Sequence, residues 1–368
     1  MKLFECQNCG QLIYFENTLC ERCGFALGFL PDTAMMTALQ PDGSGAFTPL
    51  ADRSRTVSYC ANFTHGACNW LIDSGCGPLC QACELNRTIP DLTQPENLRL
   101  WQRIEIAKRR LVYSLLRLGL PILSKTEAPH AGIAFNFLAP PPGESGQGKI
   151  LTGHDNGEIT LNVAEADDAL RAEIQQKMHE PYRTLLGHFR HEAAHYYWDR
   201  LVKDKPAYRL FRQAFGDETQ DYSRALQAHY ANGAPPGWRD RHISAYASAH
   251  PHEDWAETFA HYLHMVDTLE TAYAFGLRIR PRAGQDGNLK ASITFDPYAQ
   301  ADFETIIEAW LPMTFAVNSI NRSMGVEDLY PFVISQAATA KLKAVHDIVK
   351  GEGNRERTLG QRILSMIA

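Results

Sequence analysis

The sequence lacks several features that would each indicate a particular class of protein. No apolar run approaches the roughly 20 residues that a membrane-spanning helix needs, so we expect no membrane partner. The formal net charge of -6 gives no overall basic surface, so we do not expect nucleic acid as a partner. The N-terminal stretch MKLFECQNCG has no basic segment followed by an apolar one, which argues against a secretory signal peptide. These absences together predict a cytoplasmic protein.

Cysteine is absent from the sequence after Cys83, although nine cysteines precede that point or occupy it. In a cytoplasmic protein, such crowding indicates metal binding more than disulfides. With 45% hydrophobic residues, the 368-residue chain is long enough for a large core plus a small module. We therefore predict two domains, a cysteine-rich region over 1–90 with two zinc sites and a larger domain over 91–368.

Two CxxC motifs separated by ten residues make up the first cysteine cluster: Cys6, Cys9, Cys20 and Cys23. Each CxxC turn directs two thiolates at one ion, so two turns complete a tetrahedral zinc site. Gly10 and Gly24 follow the second cysteine of each motif and suit a tight turn. Because so short a segment buries little apolar surface, bound zinc would supply its folding energy. Four unligated cysteines or a redox pair are the alternatives.

The second cluster has five cysteines, one more than a mononuclear site needs: Cys60, Cys68, Cys76, Cys80 and Cys83. Cys80 and Cys83 form its CxxC motif, and we expect Cys60 and Cys68 to complete a second structural zinc site. Cys76, which lies between two glycines, would be the spare cysteine. The knuckle-like CxxC pairs of the first site favour zinc over an iron–sulfur cluster, although the sequence leaves iron open.

An HExxH motif lies in the stretch HFRHEAAHYYWDRL, which begins at His188. On an α-helix His191 and His195 lie on one face, so both can bind one zinc ion. Glu192 is rotated by about 100° from His191, which places its carboxylate beside the metal as a general base. The alternative is a buried helix whose histidines have only structural hydrogen bonds.

A catalytic zinc site needs a third protein ligand and an open position for water. The residues after His195 read YYWDRL and supply no further ligand, but HPHEDWAETFAHYLH downstream carries two acids. Glu253 and Glu257 are four residues apart on a predicted helix, so each is a candidate ligand. We expect most of the four histidines in this stretch to be structural: His250, His252, His261 and His264.

The paired acids resemble those of thermolysin-like gluzincin enzymes, in which a ligand glutamate precedes an acid that hydrogen-bonds a ligand histidine. This resemblance implies that Glu253 is the third ligand and Glu257 the orienting acid. The reverse assignment stays open. The chain departs from thermolysin in having a glutamate at the second acid position.

The chain as a whole resembles a bacterial family of zinc-ribbon, zinc-binding metallopeptidases. The stretches that carry the resemblance span nearly the whole length: ECQNCG…CERCG, CNWLI…CQACELNRTIPDL, TGHDNGEITLNV, HEAAHYYWDRL and HPHEDWAETFAHYLHMVDTLETA. The resemblance implies an α+β fold in which zinc-ribbon modules precede a mostly helical, zincin-like domain with a small β-sheet. It also implies peptidase chemistry on a peptide or protein substrate, and a strand EITLN whose edge receives an extended peptide.

We therefore predict a zinc metallopeptidase that hydrolyses peptide bonds through a zinc-bound water, with Glu192 as general base. Tyr246 is the candidate donor to the oxyanion, and a packed aromatic residue is its alternative. Zinc is the expected cofactor, with one catalytic and two structural ions. The alternative function is a non-catalytic module whose ribbons bind a protein or nucleic acid on a zincin scaffold. A third hypothesis combines the two: the ribbons would deliver a protease to nucleic-acid-bound proteins, as in SprT-type proteases.

Overall fold

The structure, a computed structural model, describes residues 2–139, 152–171, 173, 184–282 and 289–367, of which 352–367 are described in backbone only. The chain divides into two compact units. The first consists of Met1–Arg117 and Pro121–Ile174, and the second of Leu118–Leu120 and Gln175–Ala368. A domain boundary at residue 90 stays a prediction.

The first unit combines short strands with one long helix. Its strands are β1 (Phe4–Glu5), β2 (Leu12–Ile13), β3 (Ala26–Leu30), β4 (Met35–Pro41), β5 (Phe47–Pro49), β6 (Val57–Tyr59), β7 (Leu71–Asp73), β8 (Asn86–Thr88), β9 (Ala134–Leu138), β10 (Gly153–Asp155) and β11 (Glu158–Asn162). The helix α1 (Pro95–Leu118) lies between β8 and β9 in the sequence. Strands β3 to β7 pair in sequence order as an antiparallel sheet. Leu30, Leu39, Val57 and Leu71 form a buried apolar cluster on this sheet.

The stretch TGHDNGEITLNV forms a hairpin, in which β10 and β11 pair antiparallel across Asn156 and Gly157. Both turn residues have positive φ, 48° and 84°, which an Asn-Gly turn accommodates. The predicted free edge at EITLN is wrong. The strand β11 pairs with β10 on one side and with β9 in parallel on the other, so it has no unpaired edge for a peptide.

The second unit is mostly helical. Its described helices are α2 (Leu185–Leu201), α3 (Tyr208–Phe215), α4 (Tyr222–Asn232), α5 (Pro251–Ala274), α6 (Phe303–Ser323) and α7 (Gln336–Ile367). The strands β12 (Arg278–Ile279) and β13 (Ala291–Ser292) form a small antiparallel pair. The predicted α+β fold, with a cysteine-rich β region before a mostly helical region, is confirmed. Among the described residues, no helix is both long and apolar enough to cross a bilayer.

The helices α2 and α5 pack against each other through large buried side chains. Trp255 Nε1 donates a hydrogen bond of 2.8 Å to the Ala194 carbonyl oxygen, and the rings of Tyr197 and Phe259 stack with centroids 5.8 Å apart. An ion pair between Arg190 and Asp267, both buried, adds a polar link between the same two helices. A buried ion pair holds its partners rigidly, because losing either one leaves the other charge buried and unpaired.

The first turn of α5 is also tied to α7 by charge. Lys341 Nζ, on α7, lies 2.5 Å from Asp254 Oδ2, and both side chains are buried. His242 Nδ1 lies 3.1 Å from the same carboxylate oxygen. These contacts fix the beginning of α5, where Glu253 stands immediately before Asp254.

Candidate metal centre

The cysteines of the first cluster lie together around a common centre: Cys6, Cys9, Cys20 and Cys23. Sγ of Cys6 is 3.7 Å from Sγ of Cys23, and Sγ of Cys9 is 3.6 Å from Sγ of Cys20. Thiolates about 2.3 Å from a tetrahedral zinc ion are themselves about 3.8 Å apart. The separations therefore fit one zinc ion, and the positive φ of Gly10 and Gly24, 70° and 72°, allows the chain to turn tightly after each pair.

The second cluster brings together four of its five cysteines, all buried: Cys60, Cys68, Cys80 and Cys83. Sγ of Cys68 is 3.7 Å from Sγ of Cys80, the separation expected around zinc. Cys76 is exposed and stands outside the cluster, as expected for a spare cysteine. The buried Lys108 ammonium lies 2.9 Å from Glu105, whose Oε2 is 3.9 Å from Cys83 Sγ. A cation is thus close to a site that carries several thiolates.

In the second unit, α2 carries the HExxH motif. The helix begins after Thr184, whose Oγ1 accepts a hydrogen bond of 2.9 Å from the Gly187 amide and so caps the N-terminus. Leu185 and Leu186 are partly buried, and five further apolar or aromatic side chains around the motif are buried: Phe189, Ala193, Ala194, Tyr197 and Trp198. The burial of this face fixes the rotation of the helix and thereby the direction of His191 and His195.

The helix α5 carries both candidate acids. His250 caps it, since Nδ1 accepts a hydrogen bond of 3.1 Å from the His252 amide, and Pro251 occupies a first-turn position where no amide hydrogen is needed. Glu253 is 1% exposed, so its carboxylate requires a partner that compensates for the loss of water.

Two imidazoles and one carboxylate converge between α2 and α5. Nε2 of His191 is 3.3 Å from Nε2 of His195, and Glu253 lies 3.0 Å from the first and 3.7 Å from the second. Nitrogen or oxygen ligands about 2.0–2.1 Å from a tetrahedral zinc ion are about 3.3 Å apart. The buried Oε2 of Glu253 also has no hydrogen-bond partner among the described residues. The three residues therefore fit a zinc ion.

Glu257 orients one of these imidazoles. Its Oε1 lies 2.7 Å from His191 Nδ1, which donates the hydrogen bond, so Nε2 is the ring nitrogen that faces His195 and Glu253. Ser244 Oγ in turn donates a bond of 2.6 Å to Oε2 of Glu257. Burial alone would lower the pKa of His191, but the carboxylates of Glu253 and Glu257 raise it well above its ordinary value. The surroundings of His191 therefore favour a positive charge.

Glu192 directly follows His191 on α2, is only 6% exposed, and interacts electrostatically with both His191 and His195. Its Oε1 is 3.2 Å from Nε2 of His188, one turn earlier on α2. Burial would raise the pKa of Glu192, but the bond with His188 and the charges of the two motif histidines outweigh it and hold the pKa at about 2. The side chain is thus a carboxylate at neutral pH, the form that a proton acceptor requires.

A group of tyrosines lies next to the same residues. The rings of Tyr246 and His191 have centroids 5.9 Å apart, and Tyr246 Oη is 3.5 Å from Tyr230 Oη. Tyr222 Oη donates a hydrogen bond of 2.5 Å to Glu253 Oε1. Burial, together with the charge of Glu253, raises the pKa of both Tyr222 and Tyr246, so each keeps its hydroxyl proton and can donate it in a hydrogen bond.

The remaining histidines of the α5 region have structural contacts. His252 packs edge-on against Trp198 with centroids 4.4 Å apart, His261 Nδ1 lies 2.8 Å from Tyr330 Oη, and the ring of His264 stacks on Tyr330. Burial lowers the pKa of His252 and of His261 to about 4, so both are neutral at physiological pH. None of the three belongs to the convergent group.

Sequence reasoning missed three residues that contact the acidic side chains of this site, Glu192, Glu257 and Glu253. His188 stands four residues before Glu192, a spacing that could have identified it. Ser244 and Tyr222 lie in separate segments before α5 and belong to no motif, so only the folded chain brings them to Glu257 and Glu253.

Comparison with known protein families gives two matches along the chain. A zinc-ribbon domain model matches residues 3–94, and the model of a family described as "Putative zinc-binding metallo-peptidase" matches residues 97–348. The chain is also similar to uncharacterized proteins of Mycobacterium bovis and Mycobacterium tuberculosis, with 43% identity over 353 residues and 95% of each chain covered. No solved structure matches the chain.

Proposed function

The chain belongs to this zinc-binding metallo-peptidase family, and from that premise we propose that it is a zinc-dependent peptidase with its reaction centre at His191, His195 and Glu253. The observation that carries the proposal is the convergence of these three ligand atoms, which all lie within 4.8 Å of one another, beside the carboxylate of Glu192. Three protein ligands leave a fourth position for water, which is the arrangement of catalytic rather than structural zinc sites.

A zinc ion held there would polarise the peptide carbonyl and lower the pKa of a water molecule. Glu192 would serve as the proton acceptor, because its carboxylate is ionised and lies on the same helix as both histidines. The same side chain then returns the proton to the departing amine. The contact with His188, at 3.2 Å, restrains the Glu192 side chain.

Tyr246 is the proposed donor to the carbonyl oxygen as negative charge develops on it. Its raised pKa keeps the hydroxyl protonated, and its ring lies beside that of His191. The Tyr230 hydroxyl, 3.5 Å away, helps to fix the direction in which the Tyr246 hydroxyl points. The two thiolate clusters are proposed to hold structural zinc ions, which gives three ions per chain, one of them catalytic. A protein partner for the ribbons and a cytoplasmic location stay predictions.

The proposal is tested by Glu192→Gln, which keeps the size of the side chain and removes its capacity to accept a proton. We expect the variant to retain about three zinc ions per chain and to cleave a library of unstructured peptides about 100-fold more slowly or worse. Elemental analysis measures the metal, and mass spectrometry of the library measures cleavage. Glu308→Gln, at an exposed position on α6, is the matched control and should behave as the wild type.

Equal cleavage by the wild type and Glu192→Gln, or no cleavage of any library peptide by the zinc-loaded wild type, would contradict the proposal. Absence of cleavage would favour the alternative, a non-catalytic module on the same scaffold, whereas equal cleavage would show that Glu192 is not the proton acceptor. The intact Glu192 beside the candidate ligands argues for catalysis, since a purely structural metal site has no need of a proton acceptor.

A further inference from the structure

We infer that Tyr222 is a positioning residue that holds the carboxylate of Glu253 in place to bind the metal. The inference rests on the proposed zinc site, although it does not depend on which substrate is cleaved. Tyr222 is the first residue of α4 and stands 31 positions before Glu253 in the sequence. Its hydroxyl donates to Glu253 Oε1 at 2.5 Å, a short bond of the kind that a carboxylate acceptor allows.

The two oxygens of Glu253 are thereby in different environments. Oε1 accepts the hydrogen bond of Tyr222 and lies 3.7 Å from His195 Nε2, whereas the buried Oε2 lies 3.0 Å from His191 Nε2 and has no hydrogen-bond partner among the described residues. A buried carboxylate oxygen without a partner is costly in the free energy of folding, unless a cation compensates for it. The hydrogen bond from Tyr222 therefore holds the carboxylate facing the two imidazoles, and Oε2 is the oxygen whose burial only a bound cation would offset.

The position of Tyr222 is itself fixed by His250, the residue that caps the N-terminus of α5. The His250 ring packs edge-on against the Tyr222 ring, with centroids 5.1 Å apart. Its Nε2 donates a hydrogen bond of 3.2 Å to the Gln220 carbonyl oxygen, while Nδ1 caps α5. His250 thus links the segment before α4 to the helix turn that carries Glu253. The Tyr222 hydroxyl adds a direct hydrogen bond to the carboxylate of Glu253.

This attachment matters because α4 has little other packing. The described side chains of α4 include none that is buried, and Tyr222 itself is 41% exposed. Burial of apolar surface therefore does not determine where Tyr222 lies, and polar contacts at its N-terminal end do so instead. Asp221 caps α4 by accepting from the Arg224 amide at 3.0 Å, which starts the helix at the residue that reaches Glu253.

The test is Tyr222→Phe, which removes only the hydroxyl. Outer partners of metal ligands typically contribute about 10- to 100-fold in metal affinity, so we expect the third zinc to bind that much more weakly while the two thiolate-bound ions are retained. Competition with a chromophoric chelator measures the affinity. Cobalt(II) bound at the same position should show a changed visible absorption spectrum, because the freed Oε1 alters the coordination. Tyr273→Phe, at an exposed position near the end of α5, should match the wild type in both measurements.

A second variant guards against an effect of altered folding. His250→Asn keeps a side-chain oxygen that can cap α5 but cannot reach Gln220, so it should weaken zinc binding less than Tyr222→Phe does. Unchanged zinc affinity and an unchanged cobalt spectrum in Tyr222→Phe would overturn the inference, as would a loss in His250→Asn alone. A wild type that binds only two zinc ions would instead overturn the proposed zinc site itself.

Discussion

The thiolate clusters and the histidine–glutamate group differ in how their ligands are brought together. Each cluster contains a CxxC motif, and the four sulfurs of each surround a centre with no position left open. In the histidine–glutamate group, two ligands come from α2 and one from α5, about 60 residues apart, and large buried side chains hold these helices together. From this comparison we expect the thiolate clusters to need bound metal in order to fold. The histidine–glutamate group should form without metal and bind it afterwards.

The largest effect should follow from loss of a buried thiolate. Cys80→Ser removes one ligand of the second cluster, and a structural zinc site contributes on the order of 10 kcal/mol of folding free energy. We expect the loss of one zinc ion and a much lower unfolding temperature for the first unit, measured by elemental analysis and calorimetry. Cys76→Ser, at the exposed fifth cysteine, should change neither quantity. Equal effects of the two substitutions would show that the cluster does not stabilise the fold.

Substitutions at the two acids of α5 should affect metal binding far more than stability. Glu253→Ala should release the third zinc, whereas Glu257→Ala should weaken its binding by about 10- to 100-fold, because Glu257 acts through His191. Isothermal titration of the zinc-depleted variants measures both affinities, and circular dichroism checks that the helices are intact. The opposite ranking would exchange the roles of the two acids. Unfolding of either variant on loss of zinc would mean that metal binding at this site is also required for folding.

The smallest effect should come from Ser244, which reaches the metal only through Glu257 and His191. Ser244→Ala removes the hydrogen bond to Glu257, worth about 1 kcal/mol, so we expect zinc affinity to fall about fivefold; it also removes the bond that the Ala247 amide donates to the same oxygen. Ser248→Ala is the matched control, because Ser248 lies in the 3-10 helix Tyr246–Ser248, just after Ser244, and its Oγ donates to the Ala245 carbonyl oxygen rather than to Glu257. A drop of equal size in both variants, measured by chelator competition, would show that the segment and not the Ser244 bond is responsible.

The sequence predicts those parts of the site that follow from spacing within one element. The CxxC motifs indicate the thiolate pairs, and helical periodicity places His191 and His195 on one face and the two acids on another helix. Tyr222 and Ser244 could not be predicted, because their contacts depend on how separate segments pack. The edge predicted at EITLN failed for a related reason. Strand character is local, but the pairing of β11 with β9 joins segments more than 20 residues apart.

The ion pair between Lys341 and Asp254 limits how far the chain can be shortened. Lys341 belongs to the last described helix, yet its ammonium neutralises a carboxylate next to the proposed ligand Glu253. A fragment that stopped after α6 would keep the HExxH motif but bury Asp254 without its cation, and breaking such a pair costs about 3–5 kcal/mol. A minimal catalytic fragment designed from this protein therefore has to extend through α7 at least to Val349, which is buried.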